Sequence, residues 1–201
     1  MARRNQHSRE ELQALAVQAV RELVAEQGLA KLSVRKVAER IRYTPGMLYH
    51  VFANLDDLIL HANATTLDTL LAEMEAASKA PPQQALHHMA SAYLALARKQ
   101  TALWQMVFMH RMHKAAPVPD WYQQRTASLF AQIEQQMARL ADDQSDSAIH
   151  LAARTLWSSV HGIAVLAAEN KLAVAGDVDE QAMLDSLLEN YLNSWAGKES
   201  S

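Results

Sequence analysis

Between Ser33 and Phe52 the sequence writes two short helices and leaves only two residues between them. Ser33 is a good helix N-cap, because its hydroxyl can accept from a backbone N–H that has no helical partner. Val34, Val37, Ala38 and Ile41 follow at helical spacing. Arg42 and Tyr43 form a break. Thr44 then caps the next helix, with Pro45 at its first position, where a missing N–H costs nothing. This helix is predicted to run to about Phe52. Two short helices joined so tightly have the form of a helix-turn-helix over residues 33–52.

The flanks are also helical. Ser8 and Glu11 make an S-x-x-E capping box, and apolar residues recur from Leu12 to Val24 before Gly28 ends the helix. Asn54 caps a fourth, long helix whose first turn carries Asp56 and Asp57, favourable at the positive end of the helix dipole. After Pro81–Pro82, helices are predicted over residues 83–98, 101–113, 120–141, 147–169 and about 180–195, with breaks at Pro117 and Pro119, at Asp142–Asp146 and around Gly176–Asp179. Five Gly and five Pro in 201 residues, with little strand-like alternation, fit a chain that is helical throughout. The expected fold is all-α, with about nine helices: a three-helix N-terminal unit over residues 8–70 and a larger helical body over 71–201.

Charge is unevenly spread. Residues 1–50 hold nine Lys or Arg and five Glu, a net +4, while the rest of the chain is at −7. A basic N-terminal segment on an acidic body implies a surface for phosphate. On the third helix, Leu48, Val51 and Phe52 supply an apolar anchor. Thr44 and Tyr49 offer hydroxyls to phosphate, His50 can donate to a phosphate or a base edge, and Gly46 lets the backbone approach closely. With no Cys there is no disulfide or thiolate site. No uninterrupted apolar stretch approaches the ~18–20 residues that span a bilayer. A cytoplasmic protein is expected.

Residues 33–52, followed by Asn54 and Leu58, resemble the DNA-binding domain of the TetR family of regulators, with Gly46, Leu48, Tyr49 and Phe52 matching its G-x-L-Y-x-x-F core. The resemblance implies a homodimer on near-palindromic double-stranded DNA, a repressor released by a small molecule, and no enzymatic activity. In that family the residues matching Ser33, Thr44, Tyr49 and His50 approach DNA, and Arg35, Arg42, Pro45, Gly46, Met47 and Asn54 are the further candidate DNA-binding residues here. Three departures from the family pattern stand out. The turn reads Ile41-Arg42-Tyr43 rather than Ala-Gly-Val, Val51 replaces a His, and Leu55 replaces a Lys that resembles a phosphate contact.

The body carries no nucleophile elbow, Gly-rich phosphate loop or H-E-x-x-H. His110 and His113 lie three apart, but without Cys or an acidic partner nearby a metal site is not expected, nor is a cofactor. Trp157-Ser-Ser-Val-His161-Gly162 resembles a W-x-x-x-H-G element of one C-terminal class in the same family. Trp104, Phe108, Met112, Trp157 and His161 are the candidate ligand-binding residues, since a few polar groups among large apolar ones make a pocket. The surplus apolar surface of residues 147–169 and 180–195 points to a dimer interface. The rival reading is a helical carrier or enzyme whose N-terminal helices are only structural.

Overall fold

The computed structural model describes residues 7–112, 117–141, 143–176 and 178–197. Among them are nine α-helices: α1 (Arg9–Gln27), α2 (Val34–Arg40), α3 (Pro45–Leu48), α4 (Leu55–Ala77), α5 (Pro82–Lys99), α6 (Thr101–Met109), α7 (Asp120–Leu140), α8 (Asp146–Ala168) and α9 (Glu180–Trp195). Short 3-10 turns occupy Leu29–Lys31 and Leu172–Ala175. No strand occurs among the described residues.

The chain divides into two compact units. The first takes residues 1–66 and 102–122, the second 67–101 and 123–201. The sequence boundary near residue 70 therefore captures only part of the first unit. Residues 102–122 return to it, which no local signal announces.

In the first unit the helix ends follow their caps. Ser8 Oγ accepts from Glu11 N while Glu11 returns to Ser8 N at 2.7 Å, completing the capping box. Gly28 ends α1 at φ 79°, a left-handed value costly to any residue with a Cβ. Leu12, Ala16, Val20 and Val24 turn one face of α1 inward, against Val37 of α2, Leu48 of α3, Phe52 and Leu58. Leu103 and Met106 of α6 complete this core. Each of the Val, Leu, Met and Phe side chains contributes about 1.5–3 kcal/mol on burial. Arg21 is pulled in as well, and its guanidinium donates to Thr66 Oγ1 at 2.7 Å. Burial lowers its pKa.

Two helix ends differ from the sequence expectation. α3 stops at Leu48 rather than Phe52, because His50 N and Val51 N bond three residues back, to Met47 O and Leu48 O. α6 stops at Met109, short of residue 113. His110 N still donates to Met106 O, and the His110 ring pairs with Asp56 of α4 at 3.2 Å.

In the second unit α8 packs against both α5 and α9. Leu86, Met89 and Tyr93 of α5, Ala153, Leu156 and Val160 of α8, and Leu184, Leu188 and Leu192 of α9 are all buried. Tyr191 donates to Ala152 O at 3.2 Å and Trp195 Nε1 to Met137 O at 3.0 Å, which fastens α9 to α8 and α7. Ser145 and Asp179 cap α8 and α9 with side-chain bonds. Among the described helices, α8 is long and apolar enough to cross a membrane, with a mean hydropathy of 1.2. Its chain carries Asp146, His150 and Arg154, and one face forms the core of this unit.

Candidate nucleic-acid interface

The α2–turn–α3 segment is built so that only a few side chains face inward. Ser33 Oγ accepts from Lys36 N at 3.3 Å and starts α2. The chain then reverses through Arg42 at φ 60°, and Tyr43 N closes the turn on Ala38 O at 2.8 Å. Leu48 and Phe52 anchor α3 in the core at 1% and 2% exposure. Thr44, Pro45, Gly46, Met47, Tyr49 and His50 are exposed. Met47 at 40% and Tyr49 at 56% are large side chains held out in solvent, which the chain itself gains nothing by doing. Thr44 sits at the N-cap without a side-chain capping bond. A Cβ added to Gly46 would meet nothing nearer than Thr44 Oγ1 at 4.0 Å, so packing within the chain does not demand a glycine there.

The basic residues sort into committed and exposed groups. Arg40 is held by Glu26 through bonds of 2.6 and 3.0 Å and by Glu22 at 3.3 Å. The pairing raises the Arg40 pKa and lowers that of Glu26. Arg21 faces the core, and Lys36 donates to Gln27 at 2.9 Å. Arg9, Lys31, Arg35 and Arg42 are exposed. Arg3 and Arg4 lie outside the described residues. Thus less than the full positive excess of residues 1–50 is available to an outside anion.

The expected DNA-facing residues all lie in the first unit. Asn54 is occupied as the cap of α4: its Oδ1 accepts from Asp57 N at 2.9 Å, and Asp57 accepts from Ala53 N at 2.9 Å. The departures at Ile41, Tyr43, Val51 and Leu55 have a packing reason, since all four are partly buried against the first unit's core. A Lys at 55 or a His at 51 would put a charge or a ring nitrogen there.

The candidate ligand residues separate. Trp104 (3% exposed), Phe108 and Met112 fall in the first unit, with the Trp104 and Phe108 rings 5.4 Å apart. Trp157 and His161 fall in the second. There the His161 ring stacks on Trp157 at 5.3 Å and 25°, and its Nδ1 lies 2.7 Å from the Tyr93 hydroxyl. Phe130 of α7 stands edge-on to Trp157 at 5.5 Å, with the Arg154 guanidinium 4.7 Å over its ring. Burial lowers the His161 pKa, so the neutral imidazole is favoured. Tyr93 and Phe130 were not legible as site residues, because they lie on other helices and their own spacing reads as core. A cavity of about 620 Å³ opens at the far ends of α5 and α8, walled by Leu94, Ala97, Ala164 and Ala167 and edged by an Arg98–Glu180 ion pair of 2.8 Å. Sequence spacing gave no hint of it. Among the described residues no three His, Asp or Glu converge as a metal site, and His113 lies outside them.

Two family models match the chain. Residues 16–62 match "Bacterial regulatory proteins, tetR family", and residues 86–191 match "Tetracyclin repressor-like, C-terminal domain". Compared with curated proteins, the chain has no match. Among solved structures, a protein of unknown function from a Rhodococcus species superposes with a TM-score of 0.77 at 17% identity, covering 96% of this chain and 98% of that one. The TetR family transcriptional regulator PfmR from Thermus thermophilus gives 0.62 at 16% identity, over 89% and 97% of the two chains. RolR in complex with resorcinol gives 0.63 at 13% identity, over 96% of each.

Proposed function

The chain belongs to the TetR family of transcriptional regulators, and from that premise we propose that it is a cytoplasmic homodimeric repressor, released from a near-palindromic operator by a small molecule. The observation that carries the DNA-binding half is the solvent face of α3. Met47 stands exposed on α3 and Tyr49 and His50 on the turn that follows it, with Leu48 and Phe52 as anchors and Arg35 and Arg42 exposed nearby in the chain. A helix of this kind lies in a major groove, with hydroxyls and guanidinium groups on phosphate. A carrier or enzyme gains nothing from that face.

The ligand half rests on the second unit. A flat, mostly apolar molecule fits the stacked Trp157–His161 pair with Phe130 beside it, and the neutral imidazole supplies a polar handle. The resorcinol bound by RolR is a small ring of that kind. The cavity at the ends of α5 and α8 favours a second seat in the same unit. Ala167→Trp would obstruct the cavity and Trp157→Ala would remove the stacking face, so the variant that loses ligand response identifies the seat. Trp104, Phe108 and Met112 remain ligand candidates within the first unit.

The test of the whole reading is recovery of bound fragments from host genomic DNA, followed by titration at several salt concentrations. Binding should weaken steeply with salt, because each phosphate contact releases counterions. Tyr49→Phe should weaken all duplexes alike by about 1 kcal/mol, the scale of one hydrogen bond. A protein that binds no DNA at low salt would not be this regulator.

A further inference from the structure

Leu48 and Phe52 both point into the core of the first unit. The turn after α3 keeps the helical sense between them, with Val51 N on Leu48 O at 3.0 Å and Phe52 N on Leu48 O at 2.9 Å. At about 3.6 residues per turn, Gly46 and His50 then lie on the side away from the core, with Met47 next to Gly46. That side therefore begins with a residue that has no side chain, beside a long apolar one that is exposed. Thr44 and Tyr49 carry hydroxyls and His50 a ring nitrogen. Pro45, also exposed, falls three residues before Leu48 and so at the edge of this face. Met47 is the large apolar group at its centre.

We propose that Met47 is a specificity-determining residue that packs on the 5-methyl group of a thymine in the major groove, and that the bare backbone at Gly46 lets it come that close. The proposal rests on the DNA-binding reading above and names a base which that reading leaves open. The chemistry of the groove leaves few other partners for Met47. Phosphates take charged groups, hydroxyls and N–H donors, and a thioether is only a weak acceptor. Among the unmodified bases, the apolar feature of the major-groove edge is the thymine methyl. Methionine suits it, since an unbranched side chain with a polarizable sulfur adapts to an irregular apolar surface. The occupant of the face is a duplex rather than an apolar peptide, because Arg35 and Arg42 are exposed in the same segment and bring positive charge to it. Gly46 costs the helix stability that packing within the chain does not require, since a Cβ there has room. Close approach of the backbone to a base gives that cost a purpose.

The test uses the full chain and a duplex of about 30 base pairs that it enriches from a random-sequence library. The duplex is rebuilt with deoxyuridine at each thymine in turn, which removes the methyl and keeps the hydrogen-bonding edge. For at least one thymine the exchange should weaken wild-type binding by about fourfold, the worth of one buried methyl. Met47→Ala should bind the thymine and uracil forms of that duplex equally. Met47→Leu, apolar and of similar volume, should keep the preference. Gly46→Ala should hold the face off the groove and shrink it. Met47 and Gly46 are exposed, so helical circular dichroism should be the same in all three variants. If no exchange weakens wild type, or if Met47→Ala keeps the full preference, Met47 is not on a methyl. If Gly46→Ala keeps it, the close approach at Gly46 is wrong. A wild type that enriches no duplex overturns the DNA-binding reading itself, and the role of Met47 with it.

Discussion

Arg42 joins strain and function in one residue. At φ 60° it occupies the left-handed region, which costs a residue with a Cβ about 1–2 kcal/mol. Its side chain is exposed in the turn that leads into α3. Arg42→Gly should therefore raise thermal stability, by about 0.5–1 kcal/mol after the extra freedom of the unfolded chain is counted. It should also weaken DNA binding and flatten the salt slope by about 0.9, the share of one phosphate. Unfolding curves and salt titrations on the same sample separate the two effects. If the slope stays as in wild type, Arg42 is not on phosphate. His161 gives a second prediction at this scale. Burial holds its folded pKa below the ordinary imidazole value of 6.5, so near and below that pH the unfolded chain binds more protons than the folded one. Stability from this residue is thus complete above pH 6.5 and falls as the pH drops through the window beneath it. The melting temperature should decline from about pH 7.5 to about 5.5 more in wild type than in His161→Gln. A variant that declines equally would show that the imidazole is not the group responsible.

Elements whose signals are local were readable from the chain. The capping box of α1, Ser33 before α2, Asn54 before α4 and Gly28 after α1 all do in the structure what their chemistry requires. The solvent face of α3 was readable for the same reason, because a cap and two buried anchors leave few other orientations. What depends on distant partners was not readable. The apolar stripe of α6 reads as core by its spacing, and Leu103 and Met106 complete the core of the first unit, far along the chain from α4's share of it. Periodicity shows that a face is buried but not what covers it. The same gap hid Tyr93 beside His161 and Phe130 beside Trp157. The consequence is testable at Trp104 and Trp157. Trp104 is 3% exposed in the unit that carries α3, so Trp104→Ala should cost about 3–5 kcal/mol and impair folding before any ligand response. Trp157 is half-buried in the other unit, and Trp157→Ala should leave ligand-free DNA binding within about twofold while ligand release weakens at least about tenfold, a loss of one stacking face. Paired unfolding and DNA titrations decide this, and equal loss of DNA binding in both variants would remove Trp157 from the ligand proposal.

A homodimer is the arrangement in which one chain presents two copies of α3, and α8 carries the test of it. Leu156, Val160 and Ile163 face the core of the second unit, while Leu151, Thr155, Ser158, Gly162 and Leu166 are exposed. These five recur at spacings of three and four and so share one face. Leu151 is 69% and Leu166 41% exposed, an apolar pair at either end of small and hydroxyl-bearing residues. In the proposed dimer the same face on a second copy would make a self-complementary two-fold contact, with the small residues in the middle letting two helices cross closely. Gly162 sits at that middle, and a Cβ built there meets nothing of its own chain within 4 Å. Two outcomes of Gly162→Ala have opposite signs. In a monomer, replacing a helix-interior glycine should stabilise the chain by about 1 kcal/mol, since alanine loses less backbone entropy. In a dimer that crosses at Gly162, the added methyl separates the helices and weakens association. Sedimentation should then show more monomer in the variant than in wild type at equal concentration. The melting temperature should depend more steeply on protein concentration wherever monomer is populated. Binding to a two-half-site operator should fall further than binding to random duplex, because only the former needs both copies of α3. A variant that is more stable, with unchanged association, would place the dimer contact on another surface.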